Sequence, residues 1–451
     1  MRSYNFVKDI RERAEPKEQK MILGLRLINW KSFRDETVFS SYASGIKQHR
    51  DHISVVAKEK YRVLPIAMIF GGNASGKSNF VSALSFLRQY VTNPGFPRSF
   101  FGNVSFLFSR EKSGEPSEVG IQFLADEVIY DYTIAFDRKK VYREKLSLIK
   151  PSTETLLFSR EEDRFDFSPA YTGEERARLT FAAQGTKPGQ LFLSNSFEQN
   201  VKTFEPAYLW FSENLIIINP QSIFDSSAFL AQPRLAQLIG AQLKAFDTGI
   251  ERLEFAPVDP ASLNLTPEQV EEITVQVHRG KTAHYIVNGT YLVFSKIDDA
   301  IIANRVIAKH LNEAEEEIPM AFENESDGTR RLFDLIPAFS ALNQPNSQKV
   351  VVIDELDRSL HTKLSLNMIL TFLSSRSPES RSQLIFTTHD MMLLDQSKFR
   401  RDEIWMVERK EAGTSDMVCL SDFDIRYDLD IRKAYLDGRF EDHPYLRNIG
   451  G

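Results

Sequence analysis

The chain holds one cysteine, Cys419, in 451 residues, so no internal disulfide can form and a reducing, cytoplasmic setting is expected. No run of about 18 apolar residues is present, which leaves no candidate for a spanning helix and no membrane among the expected partners. Residues 1–20 are charged and lack the apolar stretch of a secretory signal. A second methionine, Met21, opens the first strand-like run, so that segment reads either as a helical extension or as a start-site artefact. Excess positive charge is also missing. Lys and Arg number 56 against 62 Asp and Glu, for a formal net charge of -6. No overall basic field therefore advertises nucleic acid, although a local basic face remains open. Internal repeats and low-complexity linkers are absent, and so are sustained heptads, which argues against a long coiled-coil tether.

What is present centres on Gly71-Gly72-Asn73-Ala74-Ser75-Gly76-Lys77-Ser78, followed by Asn79. The stretch fits G-x-x-x-x-G-K-[ST], with an apolar strand-like run before it and a helical pattern after it. Glycines allow successive N–H groups to turn inward around phosphate oxygens, and the positive end of the following helix points at the same anion. In this pattern Lys77 reaches the β/γ-phosphates and the Ser78 hydroxyl ligates Mg²⁺. The sequence therefore predicts a nucleoside-triphosphate site.

A hydrolase of that kind also needs a carboxylate on the metal side and a group that activates water. Val350-Val351-Val352-Ile353-Asp354-Glu355 offers both at the end of a buried strand, expected beside the phosphate-loop strand. Asp354 is the candidate Mg²⁺ ligand and Glu355 the candidate general base. Thr387-Thr388-His389-Asp390 follows the next apolar run, Gln383 to Phe386, which makes His389 a candidate sensor of the γ-phosphate. Glu325-Ser326-Asp327-Gly328-Thr329-Arg330-Arg331 opens a helical pattern and reads either as an anion site or as an ordinary N-cap built by Ser326.

Coarse patterning supports an α/β class. Residues 21–160 read as the front of an ATPase core, with an antiparallel meander over 106–158. Residues 161–320 read as a mainly helical insertion, with an apolar strand at Leu215 to Ile218. Strands are expected at Ile273 to Val277 and at Tyr285 to Phe294, the latter with a turn at Asn288-Gly289. Residues 321–451 return to α/β character and close on an edge hairpin at Ile404 to Val407 and Met417 to Leu420. The acidic run Glu313 to Glu317 is expected to be a solvated loop or helix face. The pairs Asp422/Asp424 and Asp428/Asp430 have metal-like spacing but no supporting Glu or Lys constellation, and read as loop acids.

The phosphate loop, the Glu325–Arg331 segment, the run Ile353-Asp354-Glu355-Leu356-Asp357-Arg358-Ser359-Leu360-His361 and Thr387–Asp390 together resemble the SMC/RecF-like, ABC-type ATPases of the prokaryotic "AAA family ATPase" group. The opening from Leu25 to Phe39 and the tail Ala434–Phe440 are also similar, so the resemblance spans the chain from Met21. It implies an ABC-type ATPase head, a P-loop core with an antiparallel β lobe plus a helical insertion. ATP and Mg²⁺ are the implied cofactors, and ATP-sandwich dimers or higher homo-oligomers the implied assembly. Ser326, Gly328 and Thr329 would then contact nucleotide across the subunit seam, and Asp357 to His361 would match the D-loop. Many such proteins belong to anti-phage or abortive-infection modules. The implied partner is a separately encoded nuclease or toxin effector, with phage protein or DNA as a possible trigger. OLD-type relatives carry a Toprim nuclease, for which the chain after His389 has no room. The signature reads Ser-Asp-Gly-Thr rather than Ser-Gly-Gly-Gln, and Gln122 and Gln221 are the two candidates for a lid glutamine. A DNA-processing ATPase and an ATP-bound scaffold with little turnover are the alternative functions.

Overall fold

A computed structural model describes residues 20–56, 61–93, 104–220, 233–437 and 440, apart from 279–282, 288–289, 298–299, 345, 378, 425 and 427–428. Residues 1–19, Gln221, the Asn288-Gly289 turn and Asp428 thus lie outside the described residues. The chain divides into two units. One comprises Met1–Ile217, Leu342–Leu356 and Leu373–Gly451; the other comprises Ile218–Ala341 and Asp357–Phe372.

The first unit is built on two large sheets. A seven-stranded antiparallel sheet runs in the order Arg164–Phe167, Thr153–Glu161, Val141–Lys150, Val128–Phe136, Ser117–Ala125, Met21–Ile28 and Thr37–Ser40. A six-stranded sheet runs Leu215–Ile218, Val350–Ile353, Gln383–Thr388, Ile66–Phe70, Ile404–Arg409 and Ser415–Cys419. Its four inner strands are mutually parallel, and the Ile404–Arg409/Ser415–Cys419 pair at the edge is antiparallel. Val350–Ile353 and Ile66–Phe70 are buried at every position, the uniform apolar run expected of parallel strands covered on both faces.

This order corrects one expectation. The Asp354-Glu355 strand does not neighbour the phosphate-loop strand, because Gln383–Thr388 lies between them, pairing Ile353 with Phe386 on one side and Thr388 with Phe70 on the other. All three runs are short and fully buried around an apolar centre, and that shared pattern does not rank them in space.

After the phosphate loop, the helix Lys77–Thr92 buries Phe80, Val81, Leu84, Leu87 and Val91, one stripe at helical spacing. They join a core with Trp30, Phe39, Phe123, Phe136 and Trp210.

The second unit holds a five-stranded sheet, ordered Ile250–Val258, Ala300–Leu311, Thr290–Ile297 and Ala283–Val287, with Glu317–Ala321 also paired to Ala300–Leu311. The interval expected to be mainly helical therefore carries long strands alongside its helices. Glu313 to Glu316 lie in the exposed connection of the last hairpin, and Glu317 begins its strand.

Ile273 to Val277 is not a strand but part of the helix Pro267–His278. Its β-branched alternation is outweighed by a capping box. Thr266 Oγ1 accepts from the Gln269 N–H at 3.2 Å, and Gln269 Oε1 accepts from the Thr266 N–H at 2.9 Å, with Pro267 at the first helical position. Ile273 and Val277 are then one turn apart and both are buried against Leu292 and Phe294.

Candidate functional site

The phosphate loop wraps because two of its residues take left-handed backbone, Ala74 at φ 60° and Gly76 at φ 116°. Gly76 has no alternative, since a Cβ there would run into Ser415 Oγ and come within 2.8 Å of Ser32 Oγ. Gly71 is similarly confined, because a Cβ would strike the Val407 carbonyl. Further hydrogen bonds hold the loop from outside. Ser415 Oγ donates to the Ser75 carbonyl at 2.5 Å, Asn79 Nδ2 donates to Ser32 Oγ at 2.7 Å, and Trp30 Nε1 donates to the Asn79 carbonyl at 2.8 Å.

Lys77 folds back on its own loop, donating to the carbonyls of Gly71 and Gly72 at 2.7 and 2.8 Å. The buried Ser75 hydroxyl has no hydrogen-bond partner among the described residues. A cavity of about 470 Å³ opens here, lined by Asn73 to Asn79, Lys31, Ser32, Ser105, Leu107, Phe108, Glu355, Arg409 and Gly413. That volume falls in the ordinary range for a small-molecule site. The lining suits a nucleotide, combining the cations Lys31, Lys77 and Arg409 and the loop backbone with exposed Leu107 and Phe108, 59% and 68% accessible.

Asp354 and Glu355 stand at the end of Val350–Ile353. Glu355 has left-handed backbone, φ 51°, and lines the cavity, whereas Asp354 is buried. Both are fixed by Thr387, which accepts from the Glu355 N–H at 2.7 Å and donates to Asp354 Oδ1 at 2.6 Å. His389 lies two residues further along, exposed, and is not among the lining residues. Gly71 and Gly72 contribute through the Lys77 contacts rather than as cavity wall.

In the second unit, Ser326 caps the helix Asp327–Leu342. Its Oγ accepts from the Thr329 N–H at 3.1 Å and lies 2.9 Å from Thr329 Oγ1. Gly328 approaches the 357–361 segment so closely that a Cβ would come within 2.7 Å of the Ser359 carbonyl. Asp327 pairs with Arg330. Gln122 sits in the antiparallel sheet, donates to Asp131 Oδ2 at 2.8 Å and does not line the cavity. Asp430 caps the helix Ile431–Leu436, in keeping with a loop acid.

The motifs did not point to Lys31, Ser32, Phe108 or Arg409, and they assigned Thr387 no role of its own. Lys31 follows Asn29 in a turn where both residues have positive φ, 49° and 52°. Burial holds its ammonium below the usual lysine range, while the Asp354 carboxylate pulls the other way. Asn29 ties down the neighbouring wall. Its amide donates to the carbonyls of Lys112, Glu115 and Pro116 at 2.8, 3.0 and 3.3 Å, and its Oδ1 accepts from the Phe106 N–H at 3.0 Å. Ser105, Leu107 and Phe108 are thereby tied to the turn that carries Lys31. The available signal was Asn29-Trp30-Lys31-Ser32, a polar turn directly after the first strand.

A phosphate loop between a parallel strand and a helix, a second parallel strand ending in Asp-Glu, and an antiparallel lobe define an ABC-type P-loop α/β fold. The family model described as "AAA domain, putative AbiEii toxin, Type IV TA system" matches residues 66–395, and the chain belongs to that family. Among solved structures, the SMC head domain from Thermotoga maritima is similar at 15% identity and a TM-score of 0.33, over 88% of this chain and 98% of that one. No curated protein matches. Among the described residues, no helix is long and apolar enough to cross a membrane.

Proposed function

We propose that the chain binds and slowly hydrolyses ATP, assembles as a homo-oligomer when it does so, and gates a separately encoded nuclease or toxin in anti-phage defence. The observation that supports hydrolysis best is the position of Glu355, whose left-handed backbone puts it in the wall of the cavity formed by the phosphate loop. The left-handed loop, the unpartnered Ser75 hydroxyl and the cationic lining suit a triphosphate. Mg²⁺ bound with the nucleotide would supply charge neutralisation on the phosphate oxygens. Ser78 and Asp354 are the residues to hold it. Lys77 exchanges its bonds to the Gly71 and Gly72 carbonyls for phosphate oxygens. Glu355 takes a proton from the attacking water. His389, at the exposed end of the strand that carries Thr387, senses the γ-phosphate when subunits close.

Assembly rests on the resemblance of Ser326, Gly328 and Thr329 to a signature that works across a subunit seam. Pairing of Asp327 with Arg330 removes the repulsion that a free carboxylate would present to phosphate. The defence role rests on the family, whose description names a toxin and a Type IV TA system.

The test measures mass and phosphate release for wild type, Lys77→Ala and Glu355→Gln, each with and without ATP-Mg²⁺. Wild type should turn over, Lys77→Ala should not bind, and Glu355→Gln should hold ATP in an enlarged assembly. Turnover by Glu355→Gln at the wild-type rate sinks the assigned base. For the cellular role, phage infection of cells carrying the chain with its neighbouring genes should lose protection in Lys77→Ala; unchanged protection overturns the gating role.

A further inference from the structure

The connection between the strands Thr37–Ser40 and Ser54–Val56 carries His49, Asp51 and His52. One donor atom from each lies within 4.8 Å of the other two. The cause is local. His49 takes left-handed backbone, φ 47°, ahead of the single 3-10 turn Arg50–His52. That turn folds the two rings together, with centroids 5.1 Å apart and planes at 25°.

Each imidazole already has one nitrogen committed. His49 Nε2 is 3.2 Å from the Gln396 carbonyl. A carbonyl only accepts, so Nε2 bears the proton and Nδ1 keeps its lone pair. His52 Nδ1 is 2.9 Å from Oε1 of the buried Glu403, whose Oε2 accepts from the Arg400 N–H at 2.8 Å. This bond assigns the proton to Nδ1 and leaves the Nε2 lone pair for another partner. A backbone carbonyl or carboxylate on the far nitrogen is the arrangement that sets tautomer and ring orientation in metal-binding histidines.

We infer that His49, Asp51 and His52 form a binding site for a divalent transition ion of the Zn²⁺ class, separate from the nucleotide cavity. Two imidazoles and one carboxylate suit such an ion and not Mg²⁺ or Ca²⁺, which take oxygen donors. Three protein ligands leave a fourth position for water. Metal–ligand bonds of about 2.0–2.1 Å place tetrahedral donors roughly 3.3 Å apart. The donors must therefore draw in and the stacked rings must fan open. Exposed Asp51 and half-buried His49 can make that adjustment, while His52 is held by Glu403.

The site has a structural consequence. Arg400 donates to the carbonyls of Ile46 and Gln48 at 3.1 and 2.6 Å, and Asp402 Oδ2 accepts from the Ser44 N–H at 2.8 Å. The first half of the connection is thus already fixed to the segment entering Ile404–Arg409, the strand beside the phosphate-loop strand. The second half is held by the His49 and His52 bonds to Gln396 and Glu403, and a bound ion would cross-link those two rings through Asp51.

The test uses the full chain without nucleotide. Zn²⁺ is titrated in competition with a chromophoric chelator, and Co²⁺ binding is followed by its visible absorption. Wild type should bind one Zn²⁺ per chain and give a Co²⁺ spectrum of low coordination number. His49→Gln and Asp51→Asn should each weaken Zn²⁺ at least tenfold and remove that spectrum. Asp51→Asn is the deciding variant, because the side chain is exposed and metal-free thermal unfolding should be unchanged. Glu403→Gln, a positioning change, should weaken affinity while keeping the Co²⁺ spectrum. No stoichiometric Zn²⁺ on wild type, or wild-type affinity retained in either ligand variant, overturns the site.

Discussion

The hydroxyl of Thr387 lies 2.6 Å from Asp354 Oδ1 and accepts the Glu355 N–H at 2.7 Å, while the Thr387 carbonyl accepts the Leu356 N–H at 3.0 Å. One residue on the intervening strand thus fixes three consecutive residues of the Asp-Glu turn. It orients the buried carboxylate and holds Glu355 in the left-handed backbone that brings it to the cavity. The strand between the phosphate loop and the Asp-Glu strand is therefore part of the site's scaffold as well as of the sheet.

Thr387→Val keeps the shape and removes the hydroxyl. Leaving Asp354 and the Glu355 N–H without that partner should cost about 1–3 kcal/mol. Phosphate release should fall about tenfold or more, with ATP affinity little changed, because the loop that binds phosphate is untouched. Equal turnover in Thr387→Val and wild type would remove Thr387 from the positioning role. Thr387→Ser should retain most activity.

Lys31 should make nucleotide affinity pH-dependent. Burial lowers its pKa in the free protein, and a triphosphate in the cavity would favour the charged form. Binding should therefore take up a proton at alkaline pH. Affinity should fall as pH rises through the lowered lysine pKa, and not below it. Lys31→Met should weaken ATP by roughly 10–100-fold near neutrality, the scale of one charged hydrogen bond, and should flatten the alkaline limb. Lys31→Arg, which cannot lose its charge in that range, should flatten the limb while retaining affinity. Calorimetry in buffers of different ionisation enthalpy gives the proton count directly; zero uptake by wild type at alkaline pH contradicts this reading.

Phe108 stands 68% exposed at the cavity rim, with the Arg409 guanidinium 5.8 Å from its ring centroid and Gly413 packed so close that a Cβ would lie 3.0 Å from the ring. An aromatic face held from behind suits a nucleobase. Phe108→Ala should raise the ATP Kd by about five-fold, or roughly 1 kcal/mol. It should leave the affinity for inorganic triphosphate unchanged. Equal losses for both ligands would place the base elsewhere.

The parts of the site visible in the sequence are those where chemistry dictates residue type at fixed spacing. Gly76 admits no side chain, Lys77 and Ser78 must follow it, and Asp354-Glu355 must end an apolar strand. Lys31 and Thr387 escape such a reading because their roles depend on what lies opposite them in space. Strand order was hidden for the same reason, since Val350–Ile353, Gln383–Thr388 and Ile66–Phe70 are all short and fully buried, and burial does not set which lies beside which. The Pro267–His278 helix is different: Thr266 and Gln269 spell its capping box in the sequence, and that cap outweighs the β-branched alternation at 273–277.

Asp334 gives the second unit a pH-dependent stability. Burial pushes its carboxyl up to about 7, with the Arg331 guanidinium and the Tyr291 hydroxyl opposing. Between pH about 4 and 7 the folded chain keeps a proton at Asp334 that the unfolded chain has released. Stability therefore declines as pH rises through that window and stays reduced above it. Asp334→Asn can keep the Tyr291 hydrogen bond without the buried charge. The variant should unfold at a higher temperature than wild type at pH 8, with the difference shrinking toward zero as pH approaches 4. Its size should be on the order of a few kcal/mol at most. If the two melting curves stay parallel across that range, Asp334 ionises in the folded chain as it does in water and the burial argument fails.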